Sequence, residues 1–290
     1  ALFGINKQLQ EPYMDEIFHI PQTQAFCQGK WSEYHPLLTT LPGLYMIPAF
    51  ISRAFQAFAP SFFMVVTCSI LYLRLFNIVY LVACIPITRE IIWLLHGEYI
   101  ISVLQPMAKK KTSDYKDIAL SEHHFDEIIV EIQHHFTFEI ALFPLHYFYA
   151  FIFYTDIPST FWLLASYLSY LKLYQTADST NDASKQIMAF LAGFTAIFHR
   201  QTNVIWVGFY CLLSVYDLYT LHEYHSMDRS QFAKRPLNMQ RFIVWCWRNK
   251  CDLIQRLWYY EVLFVGFLVF VFMNGSVVLG DKSHHQHTVH

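Results

Sequence analysis

Three polar stretches stand out against an apolar background. In "PYMDEIFHIPQTQ" (12–24), Asp15 and Glu16 are adjacent and His19 lies one helical turn beyond them. Neighbouring residues point in different directions on any regular element, so the two acids do not form a carboxylate dyad. One acid suits a general base, with the other orienting or binding a substrate. The competing role is a solvated acid, or one that caps a helix beginning near Ile17, where the macrodipole favours it. In "HRQTN" (199–203), Arg200, Gln201 and Asn203 interrupt two apolar runs. Arginine suits a phosphate, because its charge is permanent and its planar fork donates two parallel hydrogen bonds. The alternative is a snorkelling side chain that ends a span. "YTDIPST" (154–160) holds Asp156, and capping of the next helix by Asp156 or Ser159 is the favoured role there. "GDKSHHQH" (280–287) adds Asp281, Lys282, His284, His285 and His287, with an exposed polar loop as the plain reading.

These residues must be positioned by an unusually apolar chain. Of its 290 residues 55% are hydrophobic, 18% aromatic and only 14% charged, against about 25% charged in an ordinary soluble domain. That excess of apolar surface excludes a large soluble domain and predicts an all-α, multi-pass transmembrane protein. Net charge is -2, which gives no bulk attraction to nucleic acid. The apolar runs do not alternate, so helices are expected at about 43–58, 61–76, 77–95, 137–154, 159–174, 186–199, 203–221 and 257–279. Arg74 and Asn77 interrupt the 61–95 stretch, so 43–95 reads as three spans, with a single re-entrant hairpin as the other option. The six cysteines form no C-x-x-C pair, and neither a disulfide framework nor a zinc site is expected. The chain starts without Met and stops just after a polar cluster, which reads as a piece of a longer protein, truncated at both ends.

Loop charge sets the orientation. Residues 222–256 carry seven Lys/Arg against three Asp/Glu, and Lys109, Lys110, Lys111 and Lys116 cluster in the other long loop. Both loops (96–136 and 222–256) are therefore expected on the cytoplasmic side. Residues 1–42 hold the acidic motif and are expected on the opposite side. Counting spans then brings 1–42, 154–160, 199–203 and 280–290 to one membrane face, within a single polytopic domain covering 1–290. Acids, an arginine and several histidines gathered at one membrane face suggest a site. The histidine-rich "EHHFDEIIVEIQHH" (122–135) would set His123, Glu127, Glu131 and His135 on one helix face, with Glu131–His134 as an E-x-x-H step. It falls on the other side of the membrane from 284–287, however. The H-x-x-x-H and H-x-x-H-H boxes of a membrane di-iron oxygenase are also absent. An interfacial helix with Ile128, Ile129 and Ile132 on its apolar side is the better reading, and no metal is expected.

Five stretches, in order, resemble one glycosyltransferase family: "PYMDEIFHIPQTQAFCQGKWSEYHPLLTTLPGLY" (12–45), "LRLFN" (73–77), "FYTDIPS" (153–159), "RQTNVIW" (200–206) and "NGSVVLGDKSHHQHTVH" (274–290). The family is the dolichyl-phosphate-glucose α-1,2-glucosyltransferase of the endoplasmic reticulum, which adds the terminal glucose to the lipid-linked oligosaccharide for N-glycosylation. The resemblance implies a GT-C membrane fold in the endoplasmic reticulum membrane with its active face lumenal. It implies a dolichyl-phosphate glucose donor, a diglucosylated dolichyl-linked acceptor, the lipid bilayer as the other partner, no nucleic acid and no cofactor. The donor is β-linked and the product α-linked, so the implied reaction inverts the anomeric carbon in one displacement. Asp15 is then the expected base, with Glu16 second. His19, Tyr154, Asp156, Arg200, Gln201, Asn203, Asp281, Lys282 and His284 are the expected substrate-binding residues. One departure matters: where the family usually has W-D-P, this chain has Tyr34-His35-Pro36. A competing acid is missing there, which shifts weight to Asp15, and His35 is a weaker alternative base. A non-catalytic regulatory membrane subunit on the same scaffold is the rival function.

Overall fold

The computed structural model describes residues 2–58, 68–109, 130–131, 134–174, 182–226 and 238–280, and these residues form helices joined by turns and extended links, with no strand among them. The ten helices named here are α1 (Leu2–Gln8), α2 (Glu16–Cys27), α3 (Gly43–Phe58), α4 (Ile70–Lys109), α5 (Pro144–Ala150), α6 (Asp156–Tyr174), α7 (Ala183–His199), α8 (Asn203–Ser226), α9 (Met239–Arg248) and α10 (Lys250–Asn274). Three of them are long and apolar enough to cross a membrane: α4 over Ile70–Leu95, α8 over Asn203–Glu223, and α10 over Lys250–Asn274. Local chemistry sets several ends. Asp182 caps α7 by accepting from the Ser184 and Lys185 amides, Asn238 caps α9 through the Arg241 amide, and Gly275 closes α10 in the left-handed conformation (φ 68°) that glycine adopts without a Cβ penalty.

Three expected spans are corrected. Residues 77–95 are not a separate span, because α4 runs unbroken from Ile70 through Arg74 and Asn77. Both polar side chains are completely buried with partners, so they do not interrupt the helix. Nor does α3 descend as a span. Cys27 and Cys68 form a disulfide, which also corrects the expectation of no such bond. Tyr72 Oη donates to Pro48 O (3.1 Å), and Arg53 reaches Cys27 O. These links hold α3 beside the start of α4. Within 43–95, α4 over Ile70–Leu95 is the one described helix long and apolar enough to cross a membrane, and residues 61–67 of the expected 61–76 span lie outside the described residues. The expected 137–154 span is also broken, by Leu142–Phe143 ahead of Pro144 and again by the link 151–155.

The long helices alternate in direction, so the links 151–155, 200–202 and 275–280 share one end. At that end Asn77 Nδ2 donates to Ile152 O (2.7 Å) and Tyr154 O (2.9 Å). Farther along, Lys172 on α6 pairs with Glu90 on α4 at 3.1 Å. Residues 74 to 90 and 156 to 172 are equal steps of about 24 Å along a helix, so α4 and α6 run side by side from the same level. α7 returns, α8 leaves, and α10 returns until Leu279 N donates to Thr39 O (3.1 Å). The main core packs Leu173, Ala189, Val207, Tyr210, Leu257, Tyr260 and Leu263 between α6, α7, α8 and α10. A second cluster, with Ile20, Phe26, Leu44, Tyr45, Leu73 and Phe153, seats α2 and α3 on the end of α4. At the join, a side chain on Gly43 would strike Phe198 O and His199 N, so glycine is what lets α3 meet the end of α7.

Candidate active site

The acidic motif is built around a tight turn. Met14 holds a positive φ (55°), an uncommon conformation for a residue with a side chain. The Glu16 amide then donates back to Tyr13 O, and α2 begins. The turn sends the two acids opposite ways: Glu16 is completely buried, while Asp15 faces outward.

Glu16 has no capacity left for a substrate. Its Oε1 accepts from Arg74 Nε (3.0 Å) and from the Phe153 amide (2.6 Å). Its Oε2 accepts from Arg74 Nη2 (2.6 Å) and from the Tyr13 amide (2.9 Å). Arg74 is equally saturated, because its remaining N–H groups reach Asn6 Oδ1, Leu9 O and Glu11 O. Five guanidinium donors meet five acceptors, which is all that arginine can supply. This pair ties α4 to the chain before α2 and to the 153 backbone.

The consequence appears one residue along each strand of that tie. Asp15 precedes Glu16 and Tyr154 follows Phe153, and Tyr154 Oη donates to Asp15 Oδ2 at 2.6 Å. Asn77 holds the Tyr154 carbonyl from below. Burial and the bond to Asp15 push the Tyr154 phenol up, so the hydroxyl stays a donor. Asp15 makes no side-chain cap to α2; its carboxylate serves Tyr154 instead. His19 is buried beside them, with Nδ1 2.8 Å from Tyr45 Oη and its ring edge-on to Tyr154 at 5.4 Å. Burial drives its pKa down to about 4, against the opposing pull of Asp15 and Glu16, so the imidazole is neutral at pH 7.

The second half of the cluster hangs from the same short segment. Asp156 Oδ1 accepts from Arg200 Nη1 at 2.6 Å, with both side chains partly exposed. Tyr154 and Asp156 are two residues apart, so their Cα atoms lie within about 7 Å. The remaining expected site residues divide by geometry. Gln201 Nε2 donates to Thr39 O (2.8 Å) and joins the first loop to the α7–α8 turn. Asn203 is buried and donates to Ser159 Oγ and Ala196 O (both 2.7 Å), so it braces the turn rather than facing a ligand. His35 lies at the rim with its amide held by Gln22 Oε1 (2.7 Å). Asp281, Lys282 and His284 lie outside the described residues, as does most of the 122–135 histidine segment. The chain reaches that point pinned at Gly280, where a Cβ would strike Pro36 O and Leu38 O. Among the described residues, no group of three or more His, Cys, Asp or Glu is arranged to hold a metal.

The residues that sequence reasoning missed are Arg74 and Asn77. A signal existed: an arginine inside an apolar run demands a buried acid elsewhere, and the adjacent acids of "MDEIFH" offered one.

The sequence pattern of the DIE2/ALG10 family matches residues 9–290. Three relatives carry the name Dol-P-Glc:Glc(2)Man(9)GlcNAc(2)-PP-Dol alpha-1,2-glucosyltransferase. The human protein is 31% identical over 302 residues, covering 99% of this chain and 55% of the relative. The rat protein is 29% identical over 302 residues, covering 99% and 56%. The Arabidopsis thaliana protein is 30% identical over 224 residues, covering 73% and 35%. The chain thus spans about half the length of the human and rat relatives it matches. No solved structure matches it.

Proposed function

For a chain that belongs to the DIE2/ALG10 family, we propose the role its relatives' names describe. The full protein transfers glucose from dolichyl-phosphate glucose to a diglucosylated lipid-linked oligosaccharide, forming an α-1,2 linkage. It works as a GT-C-type enzyme in the endoplasmic reticulum membrane, with the Asp15 end of the bundle facing the lumen. The Cys27–Cys68 disulfide at that end supports this orientation, because disulfides persist in oxidising compartments. This segment supplies the base and part of the phosphate site.

The observation that carries the proposal is the contrast between the two neighbouring acids. Glu16 is saturated by Arg74 and two amides. Asp15 is exposed and has one oxygen held by Tyr154, which leaves the other to accept a proton. In the reaction, Asp15 takes the proton of the acceptor hydroxyl as its oxygen bonds to C1 of glucose. The C1–O bond to phosphate breaks on the opposite face, and its electron pair leaves with dolichyl phosphate. The configuration at C1 inverts. A phosphate monoester leaves without an acid, so the second carboxylate of a glycoside hydrolase is not required. Its charge is met by Arg200. Asp156 engages one Nη1 hydrogen of Arg200, and its other donors have no partner among the described residues.

Asp15→Asn in the full-length protein, assayed with synthetic donor and a diglucosylated acceptor, tests this. Loss of the base lowers kcat by about 10²–10⁴ while the protein stays folded. Unchanged turnover would remove Asp15 from the mechanism.

A further inference from the structure

At the end of the bundle away from Asp15, α9 is a ten-residue helix, MQRFIVWCWR, with no buried residue. It runs through Asn249 directly into α10, one of the three helices able to cross a membrane. That continuity sets α9 directly before the polar first turns of α10 (Lys250, Asp252, Gln255 and Arg256), at the border of a helix able to cross.

Its residues are sorted by direction. Phe242 and Trp245 meet Tyr219 of α8 at ring distances of 5.3 and 5.5 Å. Met239, Ile243 and Trp247 follow at four-residue steps and face outward, 58%, 58% and 72% exposed. At 100° per residue, Arg241 and Arg248 fall within about 20° of each other, roughly opposite Met239. Lys250 Nζ lies 4.6 Å from the centre of the Trp247 ring. No acid occurs in α9 itself. The nearest acid along the chain, Asp252, is taken by Arg256 at 2.9 Å. Among the described residues, Arg241, Arg248 and Lys250 have no carboxylate partner.

We propose that α9 is a lipid-binding anchor. Met239, Ile243 and Trp247 enter the acyl boundary of the membrane, while Arg241, Arg248 and Lys250 bind the phosphates of anionic phospholipids. An outward apolar row with unneutralised cations on the opposite side of the helix, in a segment that continues into a candidate span, matches such a surface in both hydropathy and charge. A soluble protein partner would leave unexplained why the apolar row sits on a helix that runs directly into a candidate span. The proposal is independent of the chemistry assigned to Asp15.

The test uses the full-length protein in nanodiscs with two readouts. In phosphatidylcholine brominated on its acyl chains, the Trp247 signal, isolated as the difference between wild type and Trp247→Phe, is quenched. In mixed phosphatidylcholine and phosphatidylglycerol, native mass spectrometry follows retained anionic lipid. Arg241→Gln and Arg248→Gln each lower that retention by about fivefold, the value of one basic residue at an anionic surface. A Trp247 signal that brominated lipid does not quench would overturn the proposal and point to coverage by another part of the protein. Anionic lipid retention unchanged in both arginine variants would equally overturn it.

Discussion

The two ends of the bundle use cations in opposite ways. At the Asp15 end, Arg74 is entombed with Glu16 and Arg200 is paired with Asp156. At the far end, Arg241 and Arg248 of α9 and Lys250 at the start of α10 are exposed, with no carboxylate partner among the described residues. The gradation is physical. A buried guanidinium is tolerable only when every donor is met, and Arg74 meets that condition. A half-exposed one can keep free donors because water covers them, which is what a phosphate site requires. A fully exposed one contributes little to the fold and is left to act on the surroundings. The same residue type is a structural bolt at Arg74, and on the proposed readings a ligand contact at Arg200 and a surface anchor on α9, according to how far water is excluded.

The sharpest way to break the comparison is to remove a cation at each end. Arg74→Ala leaves the Glu16 carboxylate buried without its counter-charge and costs about 3–5 kcal/mol of stability. Arg248→Ala, at an exposed position, stays within about 0.5 kcal/mol. Thermal unfolding of both variants in the same nanodiscs reads the difference. Comparable losses would mean that the two ends do not differ in the way the burial implies.

A second, somewhat smaller effect comes from pH. His19 has a folded pKa near 4 against an ordinary 6.5, so the unfolded chain binds more protons between those values. Its contribution is fully present above about pH 6.5 and is lost as pH falls through that window toward 4, reaching about 3 kcal/mol. The unfolding temperature should therefore drop between pH 6.5 and 4, and His19→Gln should flatten that part of the curve. The same slope in His19→Gln would assign the pH response to other groups.

The smallest effect separates the two ion pairs of the Asp15 end from each other. Asp156→Asn removes a partly exposed partner, so stability changes by about 0–1 kcal/mol, far less than at Arg74. Because Arg200 is reoriented, the KM for the lipid-phosphate donor changes more than kcat does. A stability loss as large as that of Arg74→Ala would place Asp156 in the frame rather than in the site.

Much of this was legible before the structure. The apolar composition and non-alternating runs predicted an all-helical membrane chain, and the charge of the loops was expected to bring 1–42, 154–160, 199–203 and 280–290 to one face. The contacts Tyr154–Asp15, Arg200–Asp156 and Gln201–Thr39 join the first three of these stretches directly, and 281–290 lies outside the described residues. The span count over 43–95 was not legible. Arg74 and Asn77 looked like breaks because hydropathy sees a polar residue and not its partner. The partners, Glu16 and the 152–154 backbone, are 58 or more residues away. The Cys27–Cys68 bond escaped for the same reason, since its cysteines are separated by 41 positions with no motif spacing.

What the sequence determined alone was the solvent each segment prefers and which residue types arrive at each end, because hydropathy and charge act locally along a chain. The division of labour between Asp15 and Glu16 was decided only by tertiary structure. Both are carboxylates in the same turn, and nothing local distinguishes them. The positive φ at Met14 and the arrival of Arg74 from α4 and the Phe153 amide from the link before α6 bury one acid in four hydrogen bonds. The other is left at the surface with a single tyrosine hydroxyl, and that environment is what separates a structural anion from a candidate base.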